Sequence, residues 1–299
     1  MNSCIVVQCF CKPIETIRLL NSLLNCCEIN EYNLLLYVDK AQDKSKFEKK
    51  NLELIKLLDK YKLENKDRFK SIQLIICKFN KGPYICCHDA IEYAFSYNEF
   101  VIFTEDDIIF CKDTIKFYNI YKDSQELHNE NCIGITSSSN YYYSKENIFS
   151  SKQYIIEVLP KYLEKINSIK VETINNSLYN KIIKTNWAPN KQMGIFRNGW
   201  DQIKLYRSKE FISSGECNKI APDQYTGEMV NKRSLYFLYS IVPRSNDIGL
   251  FNELGCTTLY YDGEINLTTI KYLTSDNFDN VLNNLEIINT TFKLENTII

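Results

Sequence analysis

Short apolar runs alternate with amphipathic stretches along the first half of the chain. The apolar runs are rich in β-forming residues and end at polar residues, which predicts buried strands over 4–10, 32–38, 72–77 and 100–103. Between them, apolar residues recur at helical spacing, which predicts helices from Pro13, over 47–61, over 88–95, and from the capping residue Asp113 to Tyr121. Strands alternating with helices indicate βαβ units, so the predicted fold class is α/β with a mostly parallel sheet.

The regular pattern weakens after about residue 130. The features predicted there are a polar, aromatic loop at 137–143, a helix over 162–169 and a late strand over 239–242. The chain contains no internal repeat and no clear linker, so we expect a single domain with a regular half, 1–130, and an irregular half, 131–299.

Composition narrows the class of protein. The 299 residues carry a formal net charge of −1, which argues against a nucleic-acid binder, because phosphate contacts need a basic surplus. No apolar run approaches the roughly 20 residues that span a bilayer, and the N-terminus does not resemble a signal peptide. The sequence therefore predicts a cytoplasmic protein, with a peripheral position on the inner face of the membrane as the alternative.

The 12 cysteines include no Cys-x-x-Cys pair, so they indicate neither a zinc ribbon nor a thioredoxin-type site. Most of them lie within apolar runs, as Cys4 and Cys77 do. Small buried thiols in a reducing compartment explain this pattern better than disulfides do.

Polar residues follow the predicted strands: Lys12, Asp39, Gly82 and the acidic triplet Glu105–Asp107. Ligands of parallel α/β sheets bind at the carboxyl ends of the strands, so these residues are the candidates for a site. Three adjacent carboxylates at the end of a buried strand repel one another unless a cation lies among them. Mg²⁺ or Mn²⁺, which prefer oxygen ligands, fit this role, and a solvated turn of charges is the alternative.

The acidic triplet resembles the DxD motif of GT-A glycosyltransferases, in the form Glu-Asp-Asp. Residues 6–13 resemble the first strand and "NRP" turn of bacterial GT-A enzymes related to N-acetylglucosaminyltransferase I, with Lys12 in place of the arginine. Asp39 matches the aspartate that ends the family's second strand, 80–82 matches its "NxG" turn, and His88 lies on the following helix.

The second half resembles the same family less closely. Residues 194–201 look like the family's "GWATWRRAW" segment, and 221–225 look like "WDYQW", the stretch that carries its catalytic base. Both tryptophans of the latter stretch are absent, and 255–258 lack the histidine that many relatives have there.

The resemblance implies a metal-dependent, inverting glycosyltransferase with a GT-A type sheet. Its donor would be a nucleotide sugar, UDP-linked, and its acceptor a glycan or glycolipid in surface-polysaccharide assembly. Residues 1–130 would form the nucleotide-sugar-binding half and 131–299 the acceptor-binding and catalytic half of the same domain. The implied cofactor is Mn²⁺ or Mg²⁺.

The resemblance also assigns roles to residues. On the donor side, Asp107 would bind the metal, and Glu105 and Asp106 would hold the ribose, the sugar or a metal-bound water. Lys12 would face the phosphates, and Gly82 would also belong to the donor site. Asp39 and His88 would hold the base. The alternatives are a solvated turn lysine for Lys12 and a structural or exposed histidine for His88. An inverting reaction needs a general base, for which Asp223 is the first candidate and Asp201 the second. Aspartate also caps helices well, which is the structural alternative for both.

Two other functions remain open from the sequence. A nucleotidyltransferase on a similar sheet is one, although no Gly-rich phosphate loop follows the first strand. The other is a non-catalytic glycan-binding or scaffold protein, which the missing histidine and tryptophans favour.

Overall fold

A computed structural model describes residues 1–137, 142–143, 148–149, 182–185, 188–189, 191–207, 222–240, 244–248 and 271–272. The helix predicted over 162–169 lies outside the described residues, as does the last stretch of the chain after 272.

The strands of the described residues are β1 (Ser3–Cys9), β2 (Asn33–Val38), β3 (Ser71–Ile76), β4 (Phe100–Glu105), β5 (Ile108–Phe110), β6 (Cys132–Thr136), β7 (Tyr142–Tyr143), β8 (Ile148–Phe149), β9 (Ile182–Thr185), β10 (Met193–Phe196), β11 (Tyr236–Ser240), β12 (Ser245–Asp247) and β13 (Lys271–Tyr272). Eight of them form one sheet in the order β3-β2-β1-β4-β10-β6-β11-β9. Strands β3, β2, β1 and β4 are parallel neighbours, and β6 and β11 form a further parallel pair. Strand β10 lies antiparallel between β4 and β6, and β9 is antiparallel at the far edge.

The helices of the described residues are α1 (Pro13–Leu24), α2 (Glu48–Glu64), α3 (Pro83–Phe95), α4 (Thr114–Lys122), α5 (Arg197–Ile203) and α6 (Pro222–Lys232). Helices α1, α2 and α4 contribute to one buried cluster against the sheet, and α3, α5 and α6 to the other. Along β1, Cys4 and Val6 belong to one cluster while Ile5 and Val7 belong to the other. A strand covered on both faces has to be apolar at successive positions, which explains the continuous runs in the sequence.

The sheet, mostly parallel and flanked by helices, confirms the predicted α/β fold class. The strands and helices predicted before residue 130 are present, most of them with ends shifted by a few residues, and α3 begins at Pro83 instead of at residue 88. The prediction for Asp113 needs correction. Asp113 occupies the N-cap position of α4 without a side-chain capping hydrogen bond, and its carboxylate instead accepts a hydrogen bond from Arg244 Nε at 3.1 Å.

The second half contributes more regular structure than its sequence indicates. Strands β6, β9, β10 and β11 all join the main sheet. The late strand predicted over 239–242 corresponds to β11, which begins earlier, while 241–242 lie outside the described residues. Outside the main sheet, β12 pairs with β5, which is the strand that directly follows the acidic triplet.

The cysteines of the described residues agree with the sequence interpretation. All ten are thiols, and nine of them are buried. Among the described helices, none is long and apolar enough to cross a membrane.

Candidate active site

The polar residues that follow the parallel strands lie along one edge of the sheet. Gln8 near the end of β1 is level with Tyr37 of β2 on one side and with Glu105 of β4 on the other. The segments that follow these strands therefore leave the sheet side by side. This register brings Lys12 to the acidic turn, which we define as Glu105–Asp107.

Lys12 forms a buried ion pair with the acidic turn. Its Nζ atom lies 2.5 Å from Asp107 Oδ2 and 3.6 Å from Asp106 Oδ1. The Lys12 side chain is 15% exposed, and those of Asp106 and Asp107 are 7% and 3% exposed. The other oxygen of Asp106 accepts a hydrogen bond of 2.9 Å from the backbone N–H of Phe10, which ties the β1 turn to the β4 turn.

Lys191 is a second cation at the acidic turn, and the sequence reasoning missed it. It lies just before β10, and its Nζ atom is 3.0 Å from Glu105 Oε2 and 3.7 Å from Asp107 Oδ1. Because β10 is antiparallel to β4, the beginning of β10 meets the end of β4. No local motif marks Lys191, since its partners come from a distant part of the chain.

The pKa values of the two neighbouring aspartates are shifted in opposite directions. Burial acts to raise the pKa of Asp107, but the positive charges of Lys191 and Lys12 outweigh it and hold that pKa below its usual range. Burial raises the pKa of Asp106 to about 7, with the negative charge of Asp107 adding to the rise and Lys12 opposing it. Asp107 is thus the member of this pair that stays ionised at neutral pH.

One oxygen of the acidic turn fits a divalent metal. Asp107 Oδ1 is buried and has no hydrogen-bond partner, while Oδ2 of the same carboxylate is held by Lys12. The three carboxylates of the turn do not converge on one point as a three-ligand cage. Mg²⁺ is commonly bound through one or two carboxylates together with substrate phosphates and waters. The donor set therefore fits a metal held through Asp107 alone, with Glu105 and Asp106 outside direct contact.

Asp39 organises the turn that contains Gly82. Its two carboxylate oxygens accept hydrogen bonds from the backbone N–H groups of Lys81, at 2.8 Å, and Gly82, at 2.9 Å. Asn80 Nδ2 donates a further bond of 3.2 Å to Asp39 Oδ2. Burial raises the pKa of Asp39, and these N–H donors act against the rise. The structure thus uses the Asp39 carboxylate to hold the 80–82 turn.

Gly82 is the N-cap residue of α3 and has φ 77° and ψ 164°, a backbone conformation open essentially to glycine alone. A Cβ atom built there would meet nothing within 4 Å. The space beside its backbone is therefore available to a ligand.

His88 lies on α3, further along from this turn. Its Nδ1 atom is 3.3 Å from Asp89 Oδ1, and its ring centroid is 5.7 Å from that of Trp200. Trp200 is fully buried and donates a hydrogen bond of 2.5 Å from Nε1 to Glu92. The contacts of Trp200 therefore show that its ring is part of the core.

The two general-base candidates lie in different settings. Asp201 on α5 is 45% exposed and is paired with Lys204 at 2.7 Å and Arg197 at 3.8 Å. Asp223 is the second residue of α6, and its side chain lies outside the described part. Three residues, 233–235, join α6 to β11.

A buried polar network holds the backbone next to Lys191 in place. Gln192 has a positive φ of 50°, and its carbonyl accepts a hydrogen bond of 2.5 Å from the Tyr118 hydroxyl. The same hydroxyl oxygen accepts a hydrogen bond from Ser137 Oγ at 3.0 Å, and Gln192 Oε1 accepts from Ser245 Oγ at 3.2 Å. A left-handed conformation costs a non-glycine residue free energy, and these hydrogen bonds hold Gln192 in it. They thereby fix the position of the preceding residue, Lys191, at the acidic turn.

Comparison with known proteins places glycosyltransferases among the solved structures similar to this chain. No protein-family model matches the chain, and no curated protein sequence matches it. The similar structures include Staphylococcus aureus TarS 1–349, with 14% identity over 84% of this chain and a TM-score of 0.49, and the Pyrobaculum calidifontis mannosyltransferase PcManGT, with 9% identity over 81% and a TM-score of 0.45. GalNAc-T7 aligns with 11% identity over 82% of this chain and a TM-score of 0.48. The chain spans 61% of TarS 1–349, 57% of PcManGT and 43% of GalNAc-T7.

Proposed function

We propose that the protein is a metal-dependent glycosyltransferase that takes a sugar from a nucleotide-sugar donor, UDP-linked, and passes it to a glycan or glycolipid acceptor in surface-polysaccharide assembly. The observation that carries the proposal is the acidic turn at the carboxyl edge of a parallel sheet, with one buried carboxylate oxygen of Asp107 left without a hydrogen-bond partner. The resemblance of the flanking segments to bacterial relatives of N-acetylglucosaminyltransferase I supports the same assignment.

The departing nucleoside diphosphate needs positive charge around it. A divalent Mn²⁺ or Mg²⁺, held through Asp107, would supply Lewis-acid stabilisation of that diphosphate when bound. Lys12 and Lys191 flank the same carboxylate, so their ammonium groups lie where they can bind the phosphates. Glu105 would then contact the ribose or the sugar, since its carboxylate is the more exposed one of the turn.

The donor base would lie beside the turn that Asp39 stabilises. Gly82 leaves the backbone there open to a ligand, and His88 follows on the same helix. Asp39 then acts by fixing the position of the turn, because its oxygens already accept backbone hydrogen bonds. His88 remains a proposed contact of the base.

The acceptor hydroxyl needs a general base on the far side of the sugar ring for an inverting reaction. Asp223, the second residue of α6, is our first candidate, because residues 221–225 resemble the stretch that carries the family's catalytic base. Asp201 is the weaker candidate, since it is paired with two cations on the surface of α5. Replacing each of them by asparagine separates the two candidates. Loss of the general base should abolish sugar transfer and leave donor binding unchanged.

A screen of nucleotide sugars for metal-dependent hydrolysis tests the proposal. The donors include UDP-GlcNAc and GDP-Man, which the TarS and PcManGT structures contain. We expect release of a nucleoside diphosphate that requires Mn²⁺ or Mg²⁺ and is lost in Asp107→Asn. The matched control is Asp43→Asn, because Asp43 lies in the loop after β2 with its side chain 79% exposed.

Hydrolysis at full rate in excess chelator, or in folded Asp107→Asn, would contradict the proposal. A protein that is folded and binds a glycan but releases no nucleotide from any donor would support the scaffold alternative instead. Formation of a nucleoside triphosphate and a sugar 1-phosphate from a nucleotide sugar and added pyrophosphate would support a nucleotidyltransferase.

A further inference from the structure

Three metal-ligating side chains meet next to the 80–82 turn, away from the acidic turn. They are Asp39 after β2, Cys77 after β3 and Cys86 in the first half of α3. One ligand atom from each, a carboxylate oxygen and two sulphurs, lies within 4.8 Å of the other two. The exposed fractions of the three residues are 3%, 5% and 0%. Three separate elements thus direct their ligand atoms into one buried point.

The distances suit a thiophilic divalent ion. Zn²⁺ binds thiolate at about 2.3 Å and carboxylate at about 2.0–2.2 Å, so the ligand atoms of a tetrahedral site lie roughly 4 Å apart. The three groups need to converge only slightly to reach this spacing. Thiolate ligands exclude Mg²⁺ and Mn²⁺, which prefer all-oxygen sites.

Lys81 lies at the edge of this cluster. Its backbone N–H donates to Asp39 Oδ1 at 2.8 Å, and its Nζ atom is 3.2 Å from the Tyr37 oxygen and 2.6 Å from Asp89 Oδ2. A cation beside a buried cluster of potential anions favours the thiolate form that a metal-bound cysteine requires.

We propose that Asp39, Cys77 and Cys86 bind one Zn²⁺ ion that joins β2, β3 and α3 behind the 80–82 turn. The fourth position of the ion would be filled by water or by a group from the open side of the turn. With two thiolates and one carboxylate, the zinc-loaded cluster carries one net negative charge and lies near the Lys81–Asp89 ion pair. Asp39 keeps its hydrogen bonds to the turn, because a carboxylate oxygen has lone pairs for both partners.

Cobalt substitution tests this site in the 299-residue chain without any nucleotide. Reduced, chelator-treated protein is titrated with Co²⁺ under anaerobic conditions. We expect one equivalent to bind with a sulphur-to-cobalt charge-transfer band and intense visible bands of tetrahedral geometry, and Zn²⁺ to abolish both. Excess Mn²⁺ should leave the bands unchanged, which distinguishes this site from one at the acidic turn.

Cys77→Ser and Cys86→Ser should each lose the charge-transfer band. Cys87→Ser is the matched control, since Cys87 is the next residue of α3 and is 5% exposed, and it should keep the band. If a variant fails to fold, alkylation of the wild-type protein gives the same answer. Zn²⁺ should then protect Cys77 and Cys86 from the reagent, as mapped by mass spectrometry, and leave the labelling of Cys87 unchanged.

The absence of cobalt bands in the reduced wild-type protein would overturn the proposal, as would bands that survive both serine variants. A disulfide between Cys77 and Cys86 in the reduced preparation, seen as a loss of two hydrogens, would overturn it too. None of these results bears on nucleotide-sugar hydrolysis, which is measured separately with Asp107→Asn.

Discussion

Replacing Lys12 by methionine is the perturbation that most directly probes the charge balance of the acidic turn. Methionine keeps much of the length and apolar character of the lysine side chain and removes its charge. The Nζ atom of Lys12 lies 2.5 Å from Asp107 Oδ2, and the two side chains are 15% and 3% exposed. The substitution therefore leaves a buried carboxylate without its closest cation.

The expected loss of unfolding free energy follows from this geometry. With an effective dielectric constant of about 20, two unit charges at this separation attract by about 7 kcal/mol. Lys191 remains 3.7 Å from the other Asp107 oxygen and continues to offset part of the charge. Breaking a buried ion pair by removing one partner typically costs about 3–5 kcal/mol, and we expect Lys12→Met to lose an amount in this range.

A double-mutant cycle measured by urea unfolding isolates the ion pair from other effects. Asp107→Asn removes the buried charge that Lys12 neutralises. The protein with both Lys12→Met and Asp107→Asn should therefore lose less unfolding free energy than the sum of the losses in the two single variants. We expect a coupling free energy of at least about 1.5 kcal/mol. The control is Lys40→Met, whose ion pair with Asp43 is at the surface at 3.7 Å and should contribute less than about 1 kcal/mol.

Additive losses in the cycle would refute this reasoning. So would a Lys12→Met protein whose unfolding free energy lies as close to wild type as that of Lys40→Met. Either result would mean that Lys12 is not the principal counter-charge of Asp107 in solution.

Glycines at two positions give further predictions for the unfolding free energy. Gly82→Ala should cost about 1–3 kcal/mol in urea unfolding, because its backbone angles suit glycine alone while the space around it is open. Gly199→Ala should cost more or prevent folding, since its Cβ would lie 2.0 Å from the Ile133 carbonyl oxygen of β6. Gly227→Ala within α6 is the control, because its Cβ meets nothing closer than 4.0 Å, and alanine there should stabilise by about 0.5–1 kcal/mol. Equal effects of the Gly199 and Gly227 substitutions would contradict the packing argument.

The sequence predicted the first half of the fold well because its signals are local. Each of β1, β2 and β4 is buried on both faces, so each appears as a continuous apolar run between polar segments, while β3 at the edge of the sheet is only partly buried. Strands β6 and β10 were missed, because they are short and each contains a glycine. In the sheet they lie between β4 and β11, and their strand conformation depends on pairing with strands that are distant in the sequence. No local pattern reveals such pairing.

The residues of the candidate site could also be predicted only where the signal is local. The acidic turn and Lys12 could be predicted, since each directly follows an apolar strand. Lys191 could not, because it reaches Glu105 only through the antiparallel position of β10 beside β4. The sequence also could not show that the hydrogen-bonding capacity of Asp39 is used by the 80–82 turn.

Calorimetric titration with UDP tests the central claim most directly, namely that the acidic turn binds a nucleoside diphosphate through a divalent metal. We predict that wild-type protein binds UDP in the presence of Mn²⁺, that binding is lost in excess chelator, and that Asp107→Asn loses it while remaining folded. Asp43→Asn should bind as wild type does. Binding of UDP that is equally strong without metal, or unchanged in Asp107→Asn, would contradict the account.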